Sequence, residues 1–166
     1  MLTCGHCSMD STGKIDFRAA TEADIDSLLN LESSFYAGEK YPFDIGEGRT
    51  LLVRLLREPL RGRIWVAVRG TEAVGYLLLT FGYSIEFHGI DALVDELYIQ
   101  PDARGLGLGK RALALAETAC MELGIRALHL EVERRNTKAQ QLYRSRGFKD
   151  HDRYLMTKFL PVRDER

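Results

Sequence analysis

The sequence lacks a disulfide framework. Its three cysteines, Cys4, Cys7 and Cys120, cannot staple a small secreted fold. It also lacks a long apolar run: no stretch approaches the roughly 20 residues of a membrane span, and Leu2-Thr3-Cys4-Gly5-His6-Cys7 is no signal-peptide core. Charge of one sign is missing as well. Lys and Arg total 23 against 24 Asp and Glu, a net charge of −1, so the basic field that marks nucleic-acid or polyanion binders is absent. With no repeat or low-complexity segment either, the expectation is a soluble, cytoplasmic protein that binds neither nucleic acid nor membrane.

Metal chemistry is also poorly provided for. Cys4-Gly5-His6-Cys7 has a C-x-x-C spacing, but a tetrahedral zinc site wants four ligands, usually as two such pairs. No second pair exists, and His88, His129 and His151 stand alone. No metal is expected. Residues 1–13, small and polar, read as a flexible leader, and 14–166 as one domain long enough to bury a core.

What is present is an alternation of strand and helix signals. Lys14–Ala20 alternates as a first strand. Thr21-Glu-Ala-Asp24 has the form of a capping box, opening a helix to about Tyr36. A loop over 38–48, a second helix over 50–58, and strands at 63–69, 73–83 and 93–99 follow. Leu108, Ala112, Leu115, Ala119 and Leu123 form the stripe of a third helix, which Gly124 ends. A strand over 127–132, a short helix over 136–146 and one or two strands within 148–160 complete the pattern. This is a mixed α/β domain without the regular βαβ alternation of a doubly wound sheet. Cys120 sits beside the apolar stripe and is expected to be a small core residue.

Between the strand ending at Ile99 and the third helix lies Arg104-Gly105-Leu106-Gly107-Leu108-Gly109-Lys110. Glycines let a backbone approach a ligand closely, and free N–H groups at a helix N-terminus attract an anion. A nucleotide-hydrolysing loop needs Gly, four residues, then Gly-Lys-Ser/Thr. Here position 104 is arginine, and so is position 111, so the hydroxyl for magnesium is missing. A dinucleotide fingerprint needs G-x-G-x-x-G after the first strand. The spacing here is wrong and the run follows the fourth strand. What survives is Arg-x-x-Gly-x-Gly, met by Arg104, Gly107 and Gly109.

With that pattern, the preceding Asp95-Glu96-Leu97-Tyr98-Ile99 strand and the Asn136…Tyr143…Gly147-Phe148 tail, the chain resembles the GNAT superfamily of acetyl-CoA-dependent N-acetyltransferases. The resemblance runs from about Lys14 to Leu160. It implies a central, mostly antiparallel sheet of six to seven strands, splayed between strands 4 and 5 and flanked by four helices. Acetyl-CoA would be the acyl-donor cosubstrate. Backbone groups of Leu97 and Ile99, with Tyr98 between them, would meet the pantetheine arm. Arg104, Gly105, Leu106, Gly107, Leu108, Gly109 and Lys110 would wrap the pyrophosphate. Asn136 and Ala139 would face the arm from the next helix. The partner is an amine acceptor, small molecule or protein, and the resemblance leaves a homodimer open.

Acetyl transfer needs a neutral amine, a stabilised oxyanion and a protonated leaving thiolate. The resemblance assigns the acid to Tyr143, and it suggests a carboxylate base at Glu96 or Asp95. Strand alternation sends those neighbours to opposite faces, so only one can meet substrate. Water, Glu131 and Glu133 are the alternatives. The first two helices would set the acceptor, and there Phe35, Tyr36, Tyr41 and Phe43 mix with Glu32, Glu39, Asp44 and Glu47. A binding or sensing module that holds acetyl-CoA without transfer is the competing reading, and acetylation of an amine panel separates the two.

Overall fold

A computed structural model describes residues 13–161. The small, polar leader expected over 1–13, with Cys4, His6 and Cys7, lies, except for Gly13, outside the described residues. The strands are β1 (Ile15–Ala19), β2 (Gly62–Arg69), β3 (Glu72–Ser84), β4 (Gly89–Ile99) and β5 (Leu128–Leu130). The helices are α1 (Ile25–Glu39), α2 (Ile45–Arg57), α3 (Leu108–Glu122) and α4 (Thr137–Ser145). The sheet runs β1-β2-β3-β4-β5, antiparallel except for the parallel β4–β5 pair.

Alternation along the strands gives each face its own core. Leu77, Leu79, Ala92 and Val94 bury against Ala112, Leu113, Ala116 and Cys120 of α3. On the other face Ile64, Val66, Tyr76 and Leu78 meet Leu28, Leu29 and Leu31 of α1 and Leu52 of α2. Leu28 is fully buried; a cavity left there by alanine costs about 2–5 kcal/mol. The Asp24 carboxylate explains the capping box: it accepts Thr21 N–H at 2.8 Å and is bridged by Arg18. That arginine holds its pKa down at about 2.

Two boundaries differ from expectation. The segment read as a loop over 38–48 is mostly helix, with α1 continuing to Glu39 and α2 starting at Ile45. Asp44 caps α2 by accepting the Glu47 N–H at 2.8 Å. Gly46 and Gly48, which read as loop residues, lie in its first turn. A Cβ on Gly48 would sit 2.6 Å from the Phe43 ring, so this glycine lets the ring fold over the start of the helix.

The other difference is the strand count. The sheet has five strands among the described residues, against six to seven expected, and residues 148–160 form none. Phe148 still packs on the α3-side core, but the chain beyond it is exposed. β5 is only three residues long, shorter than the 127–132 expected, and so presents a short edge on which to pair another strand.

Candidate active site

Strand β4 parts from β5 at Val94. Pairing between them runs only from Ala92 opposite Leu128 to Val94 opposite Leu130. β4 nevertheless stays paired with β3 as far as Ile99 opposite Gly75. Residues 95–99 therefore have sheet on one side and a gap on the other. Backbone groups alternate in direction along an antiparallel strand. Gln100 N–H donates to Val74 O at 2.9 Å, so Tyr98 and Glu96 also turn toward β3. Leu97 and Ile99 turn toward the gap, and the Ile99 carbonyl accepts from Arg104 Nε at 2.8 Å. The Tyr98 ring lies on the α1 side, against Phe35 and Tyr76. Its contribution to the gap is thus indirect, through the Arg104 guanidinium 5.8 Å over its ring.

The strand leaves its neighbour where it is bulged. Opposite β3, Leu79 faces Val94 and Leu78 faces Glu96, so Asp95 is the extra residue. A bulge bends its strand and strengthens the local twist. It also breaks side-chain alternation, which corrects the expectation that Asp95 and Glu96 point to opposite faces. Both line one cavity of about 620 Å³ between the sheet and α1–α2.

In that cavity Glu96 accepts hydrogen bonds from Tyr36 Oη and Tyr76 Oη, each 2.7 Å long, one on each carboxylate oxygen. Burial raises the Glu96 pKa and the two hydroxyls pull against it, with the balance upward. Asp95 is more open to water, yet the protein around its carboxyl still raises its pKa. The third carboxyl is Glu32 on α1, pushed up to about 8 by burial and then by the charge of Glu96. Tyr36 and Phe43 stack 5.1 Å apart beside it. Other polar residues of the first two helices are engaged elsewhere: Asp44 caps α2, Glu39 lies 3.9 Å from Arg135 and Tyr41 is exposed. Glu133 is bonded to Arg135, and neither it nor Glu131 lines the cavity.

At the far end of β4, a 3-10 turn at Pro101–Ala103 leads into the glycine run. Gly105 and Gly107 take φ of +82° and +75°, conformations costly for any residue with a Cβ. Gly107 opens α3 with no side-chain cap, which leaves the first helical N–H groups free for an anion. Leu108 is buried and pins the loop to the core, so only its backbone faces a ligand. Gly109 has a different task. A Cβ there would meet Leu142 Cδ2 at 3.0 Å, so its absence lets α4 approach the start of α3. On α4, Asn136 Oδ1 caps the helix by accepting the Ala139 N–H at 3.1 Å. Tyr143 is half-buried with its ring edge-on to Phe148, and its hydroxyl has no partner among the described residues. Burial raises its pKa.

The model of the acetyltransferase (GNAT) family matches residues 25–148. The chain belongs to the GNAT family. Bovine and porcine thialysine N-epsilon-acetyltransferases are 30% identical to it over 82 residues, 49% of this chain. That match covers 48% of those proteins, so the chain spans about half the length of these curated relatives. An integron cassette protein from the Cole Harbour Salt Marsh metagenome superposes with a TM-score of 0.79 at 35% identity, over 89% of this chain and 91% of that one. An acetyltransferase from Clostridium acetobutylicum, crystallised with acetyl-CoA, has the same fold (TM-score 0.76, 18% identity, 87% and 96% covered).

In this GNAT chain the residues that sequence reasoning did not connect are the two tyrosines on Glu96. Tyr36 stood out only as an aromatic, and Tyr76 not at all. Its signal was a hydroxyl within the apolar run Val74–Leu79, which has to find a buried partner. Cys120 is buried, and burial pushes its thiol pKa up, which disfavours a thiolate nucleophile. Among the described residues no group of three or more His, Cys, Asp and Glu could hold a metal, and no helix is long and apolar enough to cross a membrane.

Proposed function

We propose that this protein is an acetyl-CoA-dependent N-acetyltransferase that moves acetyl to a primary amine by direct attack in a ternary complex. The observation that carries the reading is the bulge at Asp95. It turns two carboxyls into a cavity on one side of β4, at the point where the strand's other edge opens into a gap. The gap suits acetyl-CoA: the Leu97 backbone groups and the Ile99 N–H, which face the gap while Arg104 holds the Ile99 carbonyl, match an amide-bearing arm, and the free N–H groups after Gly107 match a pyrophosphate. Arg104 and Lys110 add positive charge, Gly105, Leu106, Leu108 and Gly109 complete the loop, and Asn136 and Ala139 stand at the start of α4.

An amine reaching the cavity arrives as an ammonium and must lose a proton. Glu96 receives it, and its raised pKa makes it a stronger base than an ordinary carboxylate. Asp95, beside it, holds the incoming cation. The nitrogen lone pair then forms the N–C bond at the thioester carbonyl, and a backbone N–H of β4 near Leu97 steadies the oxyanion. As the C–S bond breaks, its electron pair stays on sulfur, which takes the Tyr143 hydroxyl proton. The nitrogen of the tetrahedral adduct gives up a second proton to solvent, which balances the one Tyr143 regains, so the proton first taken by Glu96 is the one released per turnover. The raised pKa of Tyr143 keeps it protonated until that step.

The test is thiol release from acetyl-CoA in the presence of a panel of amines. Tyr143→Phe is expected to bind acetyl-CoA normally and to lose about 100-fold or more in turnover. Normal turnover in that variant removes the acid role. Tight acetyl-CoA binding with no acceptor acetylated replaces the enzyme by a binding module.

A further inference from the structure

The cavity holds one more carboxyl than the chemistry uses. Glu32 is 6% exposed, lines the cavity, and has no hydrogen-bond or ion-pair partner among the described residues. Its carboxyl oxygens open on the cavity and are not among the sealed, unpartnered buried atoms, and a carboxylate so largely desolvated with no protein partner is costly. It stands one helical turn before Tyr36 on the same face of α1, and so lies deeper along the wall that presents Tyr36 to Glu96. Cations that could neutralise it are committed elsewhere. Arg54 and Arg61 reach the cavity lining, but both are bonded to Glu58. Three carboxyls, Glu32, Asp95 and Glu96, thus share a space walled by the stacked rings of Tyr36 and Phe43. Such rings attract cations over their faces.

We infer that Glu32 is a specificity residue that binds a second, non-reacting cationic group of the acceptor, so that the preferred substrate is an aliphatic diamine or other amine carrying two positive centres. The inference rests on the amine-acetyltransferase reading above and assigns a substrate class to it. Two sites of opposite task follow from the geometry. At the bulge, Glu96 must take a proton from the amine that reacts while Asp95 holds it in place. At α1, a carboxylate without proton-transfer work keeps the other ammonium charged. The groups facing Glu32 are Tyr36 on its own helix, Arg54 and Arg61 from the α2 side, and Tyr76, Asp95 and Glu96 from the sheet. Burial and the Glu96 charge favour protonated Glu32. A bound ammonium reverses that balance, so binding expels a proton near neutral pH.

Two measurements test this. The first compares kcat/KM for 1,4-diaminobutane with that for 4-amino-1-butanol, which replaces one ammonium by a hydroxyl at similar length. The diamine is expected to be better by about tenfold or more, and Glu32→Gln to bring the ratio toward one. Equal kcat/KM values in the wild type overturn the inference while leaving the transferase reading intact. The second is titration calorimetry of 1,4-diaminobutane in buffers of different ionisation enthalpy, which needs no turnover. Proton release on binding that vanishes in Glu32→Gln supports the inference even if no acetyl is transferred, which would sink only the transferase reading. Binding without proton release, or no binding at millimolar diamine, overturns it.

Discussion

Replacing Glu32 by Gln should stabilise the protein, and increasingly so as pH rises. Glu32 has a folded pKa of about 8, against about 4.3 for an unperturbed glutamate. Because the folded value is raised, the unfolded chain ionises first, and the folded state loses stability between those two values. One pKa unit is worth about 1.4 kcal/mol. The loss is small at pH 5 and nears its ceiling of about 5 kcal/mol by pH 9. Water entering the cavity reduces this to about half, roughly 2–3 kcal/mol. Glutamine preserves the shape without the ionisation, and any cost of burying its amide does not change with pH. The measurable quantity is therefore the difference in Tm between variant and wild type at pH 5.5 and pH 9, without amines. About a third of the loss is already present at pH 5.5, so the gap should widen by about 3–7 °C for a domain of this size. A gap that stays constant across this range means that Glu32 ionises in the fold as it does in the unfolded chain, and the account of its burial is wrong.

Other perturbations separate the remaining parts of the site. Tyr36→Phe removes a hydrogen bond that lowers the Glu96 pKa. The acid limb of the kcat/KM profile should move to higher pH by about 0.5–1 unit, and an unmoved limb would remove Glu96 as the base. Gly107→Ala forces a Cβ into a backbone with φ of +75°, costing about 1–2 kcal/mol. Coenzyme A affinity measured by calorimetry should fall by at least about tenfold, whereas a stability loss with unchanged affinity would detach the loop from the phosphate.

The order of elements and the glycine run were legible because each has a local cause. Helix stripes, the Thr21–Asp24 box and the Gly124 stop act within a few residues of themselves. The start of α2 was misread because Gly46 and Gly48 have loop chemistry when taken singly. Their helical placement depends on the Asp44 cap and on the Phe43 ring packed over Gly48. Of the site, Glu96 and Tyr143 were named from the family resemblance, while the tyrosines on Glu96 were not. Tyr36 and Tyr76 are 60 and 20 residues from it in sequence, and only the packing of α1 on the sheet brings the three together. The bulge was invisible for a related reason. It is a relation between two strands, and strand 93–99 read alone offers only strict alternation.

That bulge joins the two halves of the site, and a deletion can test the connection. Removing Asp95 would let β4 pair regularly with β3. Val94 would still face α3 and Glu96 still face α1, since those two positions become consecutive in an alternating ladder. The core residues keep their faces, so the variant is expected to fold, with far-UV circular dichroism unchanged. What it loses is the local twist that directs β4 away from β5 after Val94. The parallel pairing then has no reason to stop, and the backbone of Leu97 and Ile99 would be taken up by the sheet. Coenzyme A affinity should drop by about tenfold or more, the scale of losing one or two well-made hydrogen bonds in a protected site. Asp95→Gly is the necessary companion, because it retains the extra residue and removes only the carboxylate. It should bind coenzyme A like the wild type while losing affinity for the amine. If deletion and substitution bind coenzyme A equally well, the gap does not depend on the bulge, and its opening must come from the loops beyond β4 and β5.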